Sequence, residues 1–227
     1  MYLEPIMKAK EANTSVPVFN FGGGLTGEAI RKAVKKGMIE IDPYNPDNVN
    51  PNSYNLKIGN QIATIRSNRH ETYWGSPDPN PDGMVYAVAI QKSHDWVEID
   101  LKEKVEYDTV EIPEDGILLQ PGELYLVPTV EHIHTDYYEP IITGRSSMGR
   151  LGIAVHQEAG FGDIGFNGNM TLQLKVTYPT RIYPYFPMAQ VYFLTPHGEI
   201  KDLYNGKYQN ATGIAGSKAY QDFEKLK

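Results

Sequence analysis

The sequence predicts one mainly β domain, built either as a β-barrel or as a β-sandwich. Short strand candidates recur at intervals of about 8–12 residues, which is typical of both folds. The 227 residues include 16 tyrosines, 21 glycines and 16 prolines, a composition that suits short strands and tight turns better than long helices. The chain length also falls within the usual range for a single all-β domain.

The first clear element is a helix that begins near Thr26. Thr26 is a good N-cap, and Leu25 and Ile30 are spaced to form a hydrophobic staple across the start of the helix. Gly37 follows as the stop signal. We therefore expect an amphipathic helix packed on a sheet. Residues 1–20 lack periodicity, and we interpret them as an N-terminal arm.

Strand candidates follow the helix at 54–65, 86–90 and 97–101. The intervening segment 66–83 is polar and rich in proline, which predicts a long exposed loop. Residues 116–127 have the pattern of a strand, a tight Pro-Gly turn and a second strand.

The segment 170–176 alternates strictly between apolar and polar residues. Side chains of a strand point alternately to its two faces. The pattern therefore places Gln173, with Thr171 and Lys175, on the face opposite Met170 and Leu172. We expect Gln173 to face solvent, a subunit contact or a site.

Polar chemistry is concentrated between residues 144 and 174. Arg145, Ser146, Ser147 and Arg150, close to Gly149, offer hydroxyls, guanidinium groups and backbone N–H groups. These are the donors that a phosphate requires. The segment is not a Walker loop, because the Lys-Ser/Thr ending is absent. Taken alone, the motif also fits a simple capped turn.

The charge of the chain restricts its partners. The formal net charge is −7 and the sequence pI is about 5.4, so we do not expect nucleic-acid binding. No apolar run reaches the roughly 18 residues of a membrane span, and no signal-peptide pattern begins the chain. We therefore expect no membrane partner and a cytoplasmic location.

Two histidine motifs raise the question of a metal. His156 and Glu158 fit the H-x-E of zinc-dependent deaminases, but that signature also needs cysteines, and the chain has none. Zinc is therefore not expected. His132, His134 and Asp136 share a strand face and are a candidate chelating group, but we interpret them as surface residues. His156 is interpreted as a structural, hydrogen-bonding histidine rather than an acid.

The motifs of the central segment match a known family when they are taken together. They are Arg145-Ser146-Ser147-x-x-Arg150-x-Gly152, Val155-His156 and Ala159-Gly160-x-x-Asp163-x-Gly165-Phe166-x-Gly168. This set resembles the dCTP deaminase and trimeric dUTPase superfamily. The segments 27–42 with 52–59, 119–123 and 187–191 extend the resemblance. Lys207-Tyr208, with Gly213 and Ser217, resembles the C-terminal lid of the deaminase branch.

The resemblance implies a distorted β-barrel, the dUTPase-like β-clip, with a short N-terminal helix and a C-terminal lid. It divides the chain into the arm 1–20, the β domain 21–200 and the lid 201–227. It also implies a homotrimer with sites between subunits and a deoxypyrimidine triphosphate, dCTP or dUTP, as the substrate. Magnesium would bind with the triphosphate rather than to protein ligands.

The resemblance also implies roles for individual residues. Arg145, Ser146, Ser147 and Arg150 would hold phosphates, and Ser146 and Arg150 would also serve near the reacting end. Asp163 would meet the 3′-hydroxyl and, in a dUTPase, orient the attacking water. The remaining substrate contacts would be made by residues of three segments: His156, Ala159, Gly160, Gln190, Tyr204, Lys207 and Tyr208.

Three positions depart from the family pattern. Gln173 stands where deaminases carry a glutamate that moves protons between water and the base, and a neutral amide cannot take up a proton. Glu158 lies nearby in sequence as an alternative acid. Asn55 replaces a usual aspartate, and Ala211 replaces a common glutamine.

These residues support three hypotheses of function. The first is a hydrolytic dCTP deaminase that yields dUTP, with Gln173 holding the water or the base. The second is a dUTPase-like pyrophosphohydrolase, which needs no acid at position 173. The third is a nucleotide-binding trimer without turnover.

Overall fold

The computed structural model describes residues 22–66, 73–75, 87–90, 98–224 and 226. The predicted arm 1–20 lies outside this range. Most of the predicted loop 66–83 also lies outside it, and its described part includes a short strand at Tyr73–Gly75.

The N-terminal helix forms where the sequence predicts it. Helix α1 (Gly27–Lys35) begins after Thr26, whose hydroxyl accepts a hydrogen bond from the Ala29 N–H at 3.3 Å. Ile30 is fully buried against the sheets. Gly37 adopts a positive φ of 67°, which lets the chain turn away.

Strands dominate the described residues, and a mainly β fold is confirmed. In chain order they are β1 (Glu40–Asp42), β2 (Tyr54–Lys57), β3 (Gln61–Ile65), β4 (Tyr73–Gly75), β5 (Ala87–Ile90), β6 (Tyr107–Glu111), β7 (Ile117–Leu119), β8 (Tyr125–His134), β9 (Glu139–Gly144), β10 (Ile153–Ala154), β11 (Asn167–Val176), β12 (Thr180–Ile182) and β13 (Pro187–Leu194). Two short helices, α2 (Ser146–Arg150) and α3 (Tyr220–Glu224), and a 3-10 turn at Pro46–Asn48 are the other regular elements of the described residues.

Within the described residues, the strands form three sheets. The largest has the order β10-β11-β8-β3-β6, with β1 also paired to β8. A second sheet has the order β12-β7-β5-β4, and a third has the order β2-β13-β9. Closure of these sheets into a distorted barrel stays a prediction.

The long strand β11 shows the alternation that its sequence predicts. Met170, Leu172, Leu174 and Val176 are buried in the core. Their neighbours on the other face, Gln173 among them, are more accessible. Antiparallel pairing with β8, in the register Gln173–Leu126, holds this face in place.

Two other local predictions have different outcomes. The strand–turn–strand pattern of 116–127 is confirmed as β7 and the start of β8, with Gly122 in the turn at a φ of 91°. The strand predicted at 97–101 is wrong over 98–101, which contain no strand. This short segment has no pairing partner among the described strands. None of the described helices is long and apolar enough to cross a membrane.

Candidate active site

A pocket of about 400 Å³ lies between β11, the loop before it and the C-terminal segment. Six of the residues proposed from the sequence line it: His156, Ala159, Asp163, Gln173, Tyr204 and Tyr208. Apolar walls come from Leu126 and Ile142. Polar groups thus converge on a mostly apolar cavity, which is the usual form of a small-molecule site.

The polar face of β11 forms the floor of the pocket. Asn169, Thr171 and Gln173 all line it, as their spacing of two requires. The Asn169 amide is fixed by donating hydrogen bonds to the carbonyls of Thr129 and Val130, at 3.1 and 3.3 Å. The side chain of Gln173 has no hydrogen-bond partner among the described residues. Its amide is therefore available to a bound molecule.

The C-terminal segment lies along this face and forms a wall of the pocket. The Asn169 N–H donates to the Ala211 carbonyl at 2.9 Å. The N–H groups of Gly213 and Ala215 donate to the side-chain oxygens of Asn169 and Thr171, at 3.4 and 2.9 Å. Side chains two residues apart on β11 therefore hold backbone groups two residues apart on the segment.

The end of this wall is anchored by Tyr107 of β6. Its hydroxyl accepts a hydrogen bond from the Ser217 N–H at 3.1 Å. A Cβ atom on Gly216 would lie 2.4 Å from the Tyr107 ring, so this close approach requires a glycine. Tyr107 also lines the pocket, and it was missed from the sequence because nothing local links it to a residue 110 positions away.

The loop before β11 supplies Asp163. Its carbonyl accepts from the Phe166 N–H at 3.1 Å in a turn that contains Gly165, which has a φ of 88°. A Cβ atom on Gly165 would lie 2.7 Å from Leu203, so the glycine also allows the C-terminal segment to pack here. Asp163 is exposed and lines the pocket, and its carboxylate has no hydrogen-bond or ion-pair partner among the described residues.

His156 faces the same cavity from the chain that follows β10. Its Nδ1 atom is buried and has no hydrogen-bond partner in the described structure. Burial lowers the pKa of the imidazole, and hydrogen bonding to the Ala159 backbone opposes this shift only in part. At neutral pH the ring is therefore uncharged. The structural role predicted for His156 stays a prediction.

The turn after His156 is tightly packed. A Cβ atom on Gly160 would lie 2.6 Å from the Ile142 carbonyl. The Ile142 N–H donates to the Gly160 carbonyl at 2.7 Å. Gly160 does not line the pocket itself but fixes the turn that brings Ala159 to it. Glu158, the alternative acid, is exposed and lies outside the pocket lining.

The predicted phosphate motif lies outside this pocket. Ser146, Ser147 and Arg150 are exposed on α2 and do not line the cavity. Arg145 precedes the helix, and its guanidinium donates to the Pro187 carbonyl at 2.8 Å. The motif therefore faces outwards.

Gln190 belongs to the same outer region. Its amide oxygen accepts from the Ser53 hydroxyl at 3.3 Å, and its nitrogen donates to the Gly144 carbonyl at 3.5 Å. Gly144 ends β9, directly before the motif. Gln190 thus lies beside the backbone that leads into the motif.

Lys207 is held within the C-terminal segment. Its ammonium group forms an ion pair with Asp222 of α3 at 2.5 Å. The Asp222 carboxylate raises the pKa of Lys207. Tyr204 and Tyr208 on either side do line the pocket, and the Tyr208 N–H donates to the Tyr204 hydroxyl at 3.1 Å.

No group of three or more His, Asp or Glu side chains in the described residues is arranged to hold a metal. His134 lies 3.4 Å from Asp136, and its Nδ1 lies 3.1 Å from the Phe166 carbonyl oxygen. Asn55, at the usual aspartate position, forms a reciprocal amide pair with Asn50.

Comparison with known proteins supports the same family. A family model described as dCTP deaminase-like matches residues 24–195. A dCTP deaminase of Leptospira biflexa, named dUMP-forming, is 40% identical over 201 residues, which cover 88% of this chain and 98% of the relative. A protein of the same name from Hathewaya histolytica is 36% identical over 200 residues, covering 88% and 99%.

A solved structure has a related fold. The crystal structure of 2′-deoxycytidine 5′-triphosphate deaminase from Agrobacterium tumefaciens superposes with a TM-score of 0.52 at 20% identity. The match covers 78% of this chain and 49% of the solved one, so this chain accounts for about half of that protein's length. Together with the family model, these relatives show that the chain belongs to the dCTP deaminase-like family.

Proposed function

We propose that this protein converts dCTP to dUMP, with release of ammonia and pyrophosphate. The observation that carries the proposal is the mostly apolar pocket that Asp163, Gln173 and His156 all line. The relatives are named as dUMP-forming deaminases, so the proposed product is dUMP rather than the dUTP expected from the sequence.

Each pocket group has a role in this reaction. The free amide of Gln173 holds the base or the attacking water through hydrogen bonds. Asp163 accepts a hydrogen bond from the sugar hydroxyl and orients the water that attacks the α-phosphate. Tyr204 and Tyr208 cover the nucleotide as part of a lid formed by 201–227.

The phosphates are proposed to bind Ser146, Ser147, Arg150 and Gln190 of a neighbouring subunit. This motif is exposed and lies outside the pocket of its own chain. A homotrimer of closed, distorted barrels would bring the motif of one subunit to the pocket of the next. Arginine suits this role because its planar guanidinium can bind a phosphate through two hydrogen bonds.

Magnesium is proposed to arrive with the triphosphate. The described residues offer no cluster of carboxylates for it, and Mg²⁺ commonly binds substrate phosphates with few protein ligands. When bound, it would neutralise phosphate charge in a protein whose net charge is −7.

Hydrolysis of dUTP without deamination is the second candidate. The observation that favours it is the neutral amide of Gln173 in the pocket, together with the exposed position of Glu158 outside it. In this reaction Asp163 acts on the water, and no acid is required at position 173.

One experiment separates the two candidates. The purified protein is incubated with magnesium and either dCTP or dUTP, and ammonia and pyrophosphate are measured. Ammonia and pyrophosphate from dCTP are expected. Pyrophosphate from dUTP alone would refute the first candidate and support the second. Binding of both nucleotides without either product would refute both and leave a nucleotide-binding protein.

A further inference from the structure

The pocket holds an unused proton acceptor. His156 lines it, and its buried Nδ1 has no hydrogen-bond partner among the described residues. A buried polar atom without a partner costs free energy. Because the His156 ring lines the cavity, a ligand bound there is the partner that this nitrogen would gain once the ring turns towards it.

His156 and Gln173 approach the cavity from two neighbouring segments of the same chain. Strand β10 pairs with the end of β11 in the register Ala154–Lys175. The Gln173 N–H then donates to the Val155 carbonyl at 3.1 Å, one residue before the histidine. The two side chains thus reach the same cavity from neighbouring backbone positions.

We propose that His156 is the proton carrier of deamination, in place of a carboxylate at position 173. The proposal rests on the proposed function, since it concerns the deamination step. Gln173 would position the water or the base, and the imidazole would move the proton. One neutral amide and one neutral imidazole would together fill the role of a single glutamate.

Every proton that moves in this deamination step can be followed. The imidazole takes a proton from the water as its oxygen bonds to C4 of the cytosine, and passes it to N3. The second water proton then moves through the imidazole to the exocyclic amine. The C4–N bond breaks, ammonia leaves, and the imidazole is neutral again. No oxidant or further reactant is needed.

The surroundings favour a neutral imidazole. The charged or titratable groups that line the cavity with His156 are the carboxyl of Asp163 and the phenols of Tyr107, Tyr204 and Tyr208. No lysine or arginine is among these lining residues of the described chain. Burial opposes the protonated form of the ring, so its base form is available at neutral pH.

The test compares His156→Asn and His156→Gln with the unchanged protein. Both variants keep a polar side chain but cannot accept a proton. We expect ammonia release from dCTP to fall by about 10²–10⁴-fold, while pyrophosphate release from dUTP changes far less. His132→Asn, which removes a histidine outside the pocket lining, is the matched control and should leave both reactions unchanged.

A rescue variant adds a readout that a purely structural role would not move. Gln173→Glu in the His156→Asn background should restore ammonia release by about tenfold or more, because it returns a base to the pocket. In the unchanged protein, ammonia release should decline as the pH falls through the lowered pKa of His156. In the rescued variant, the fall of ammonia release at acid pH should instead follow the titration of the carboxyl introduced at position 173.

Each outcome decides the inference. Ammonia release that survives both substitutions at position 156 overturns it and leaves the proposed function intact. An equal loss of ammonia and of pyrophosphate release from dUTP assigns His156 to positioning, and the inference is wrong. No ammonia from the unchanged protein refutes the proposed deamination, and the inference falls with it.

Discussion

The pocket and the Ser146–Arg150 motif differ in how far hydrogen bonds within the chain hold their residues in place. Around the pocket, side chains of β11 hold the backbone of the C-terminal segment through hydrogen bonds that link residues 44 positions apart. On α2, the two serines and Arg150 are exposed, and their side chains have no hydrogen-bond partner among the described residues. One region is organised within its chain, and the other presents free donors to its surroundings.

This difference indicates which of the two regions a single chain forms by itself. The floor, the walls and the acid of the pocket all come from one chain. The motif has exposed donors that lie outside this pocket, and this position is the basis of its proposed contribution to a neighbouring subunit. Substitutions in the first region should therefore affect chemistry and local order, and those in the second should affect phosphate binding.

The largest effect is expected from Asp163→Asn. The amide keeps the shape and hydrogen-bonding size of the side chain but cannot act as a base. Pyrophosphate release from dUTP should fall by about 10²–10⁴-fold, with circular dichroism and nucleotide binding preserved. Asp115→Asn, on an exposed turn, should have no effect. Undiminished turnover by the Asp163 variant would remove this carboxylate from the reaction.

Arg150→Ala should have the next largest effect, and on a different parameter. Loss of a charge-assisted hydrogen bond to phosphate costs about 1.5–3 kcal/mol, which predicts a rise in KM of about 10–100-fold. The matched control is Arg31→Ala, which removes an exposed cation from a different helix, α1. A lower kcat with unchanged KM would contradict a binding role.

Mixing the Asp163→Asn and Arg150→Ala variants, assayed at a nucleotide concentration well below the raised KM of the second, tests whether the regions meet across subunits. Chains with Asp163→Asn and chains with Arg150→Ala are unfolded together and reassembled at equal amounts. If each site takes Asp163 from one chain and Arg150 from the next, random assembly should restore about a quarter of the sites. No recovery would mean that both residues of a site come from the same chain.

Thr171→Val should have a smaller effect, confined to the pocket wall. Valine keeps the shape but cannot accept the hydrogen bond of the Ala215 N–H. We expect local opening of residues 211–217 to become easier by about 1 kcal/mol, measured as faster amide exchange at Ala215, with a modest rise in KM. Thr180→Val, on β12 in another sheet, should leave this exchange unchanged. Unaltered exchange at Ala215 would show that the bond does not hold the wall.

Local and long-range features of the fold differ in how far the sequence predicts them. Period-two alternation placed Gln173 on the polar face of β11, and Thr26 predicted the start of α1, because both signals are local. The partnership of Tyr107 with Ser217 depends on how distant segments pack, and no local pattern encodes it. The strand expected at 97–101 failed for the same reason, since a strand needs a pairing partner as well as suitable residues.

The smallest effect is expected from Asn55→Asp in the outer region. The new carboxylate still accepts the bond that Asn50 donates at 3.0 Å, and it loses only the longer return bond of 3.4 Å. Stability should change by less than about 1 kcal/mol, measured by urea unfolding, whereas Asn55→Ala removes both bonds and should cost more. The apparent affinity for magnesium during dUTP hydrolysis is the second measurement. If the carboxylate leaves it unchanged, Asn55 acts only through Asn50. A clear gain would place Asn55 beside the phosphates and would make this surface, with Gln190 next to it, part of a site completed by another chain.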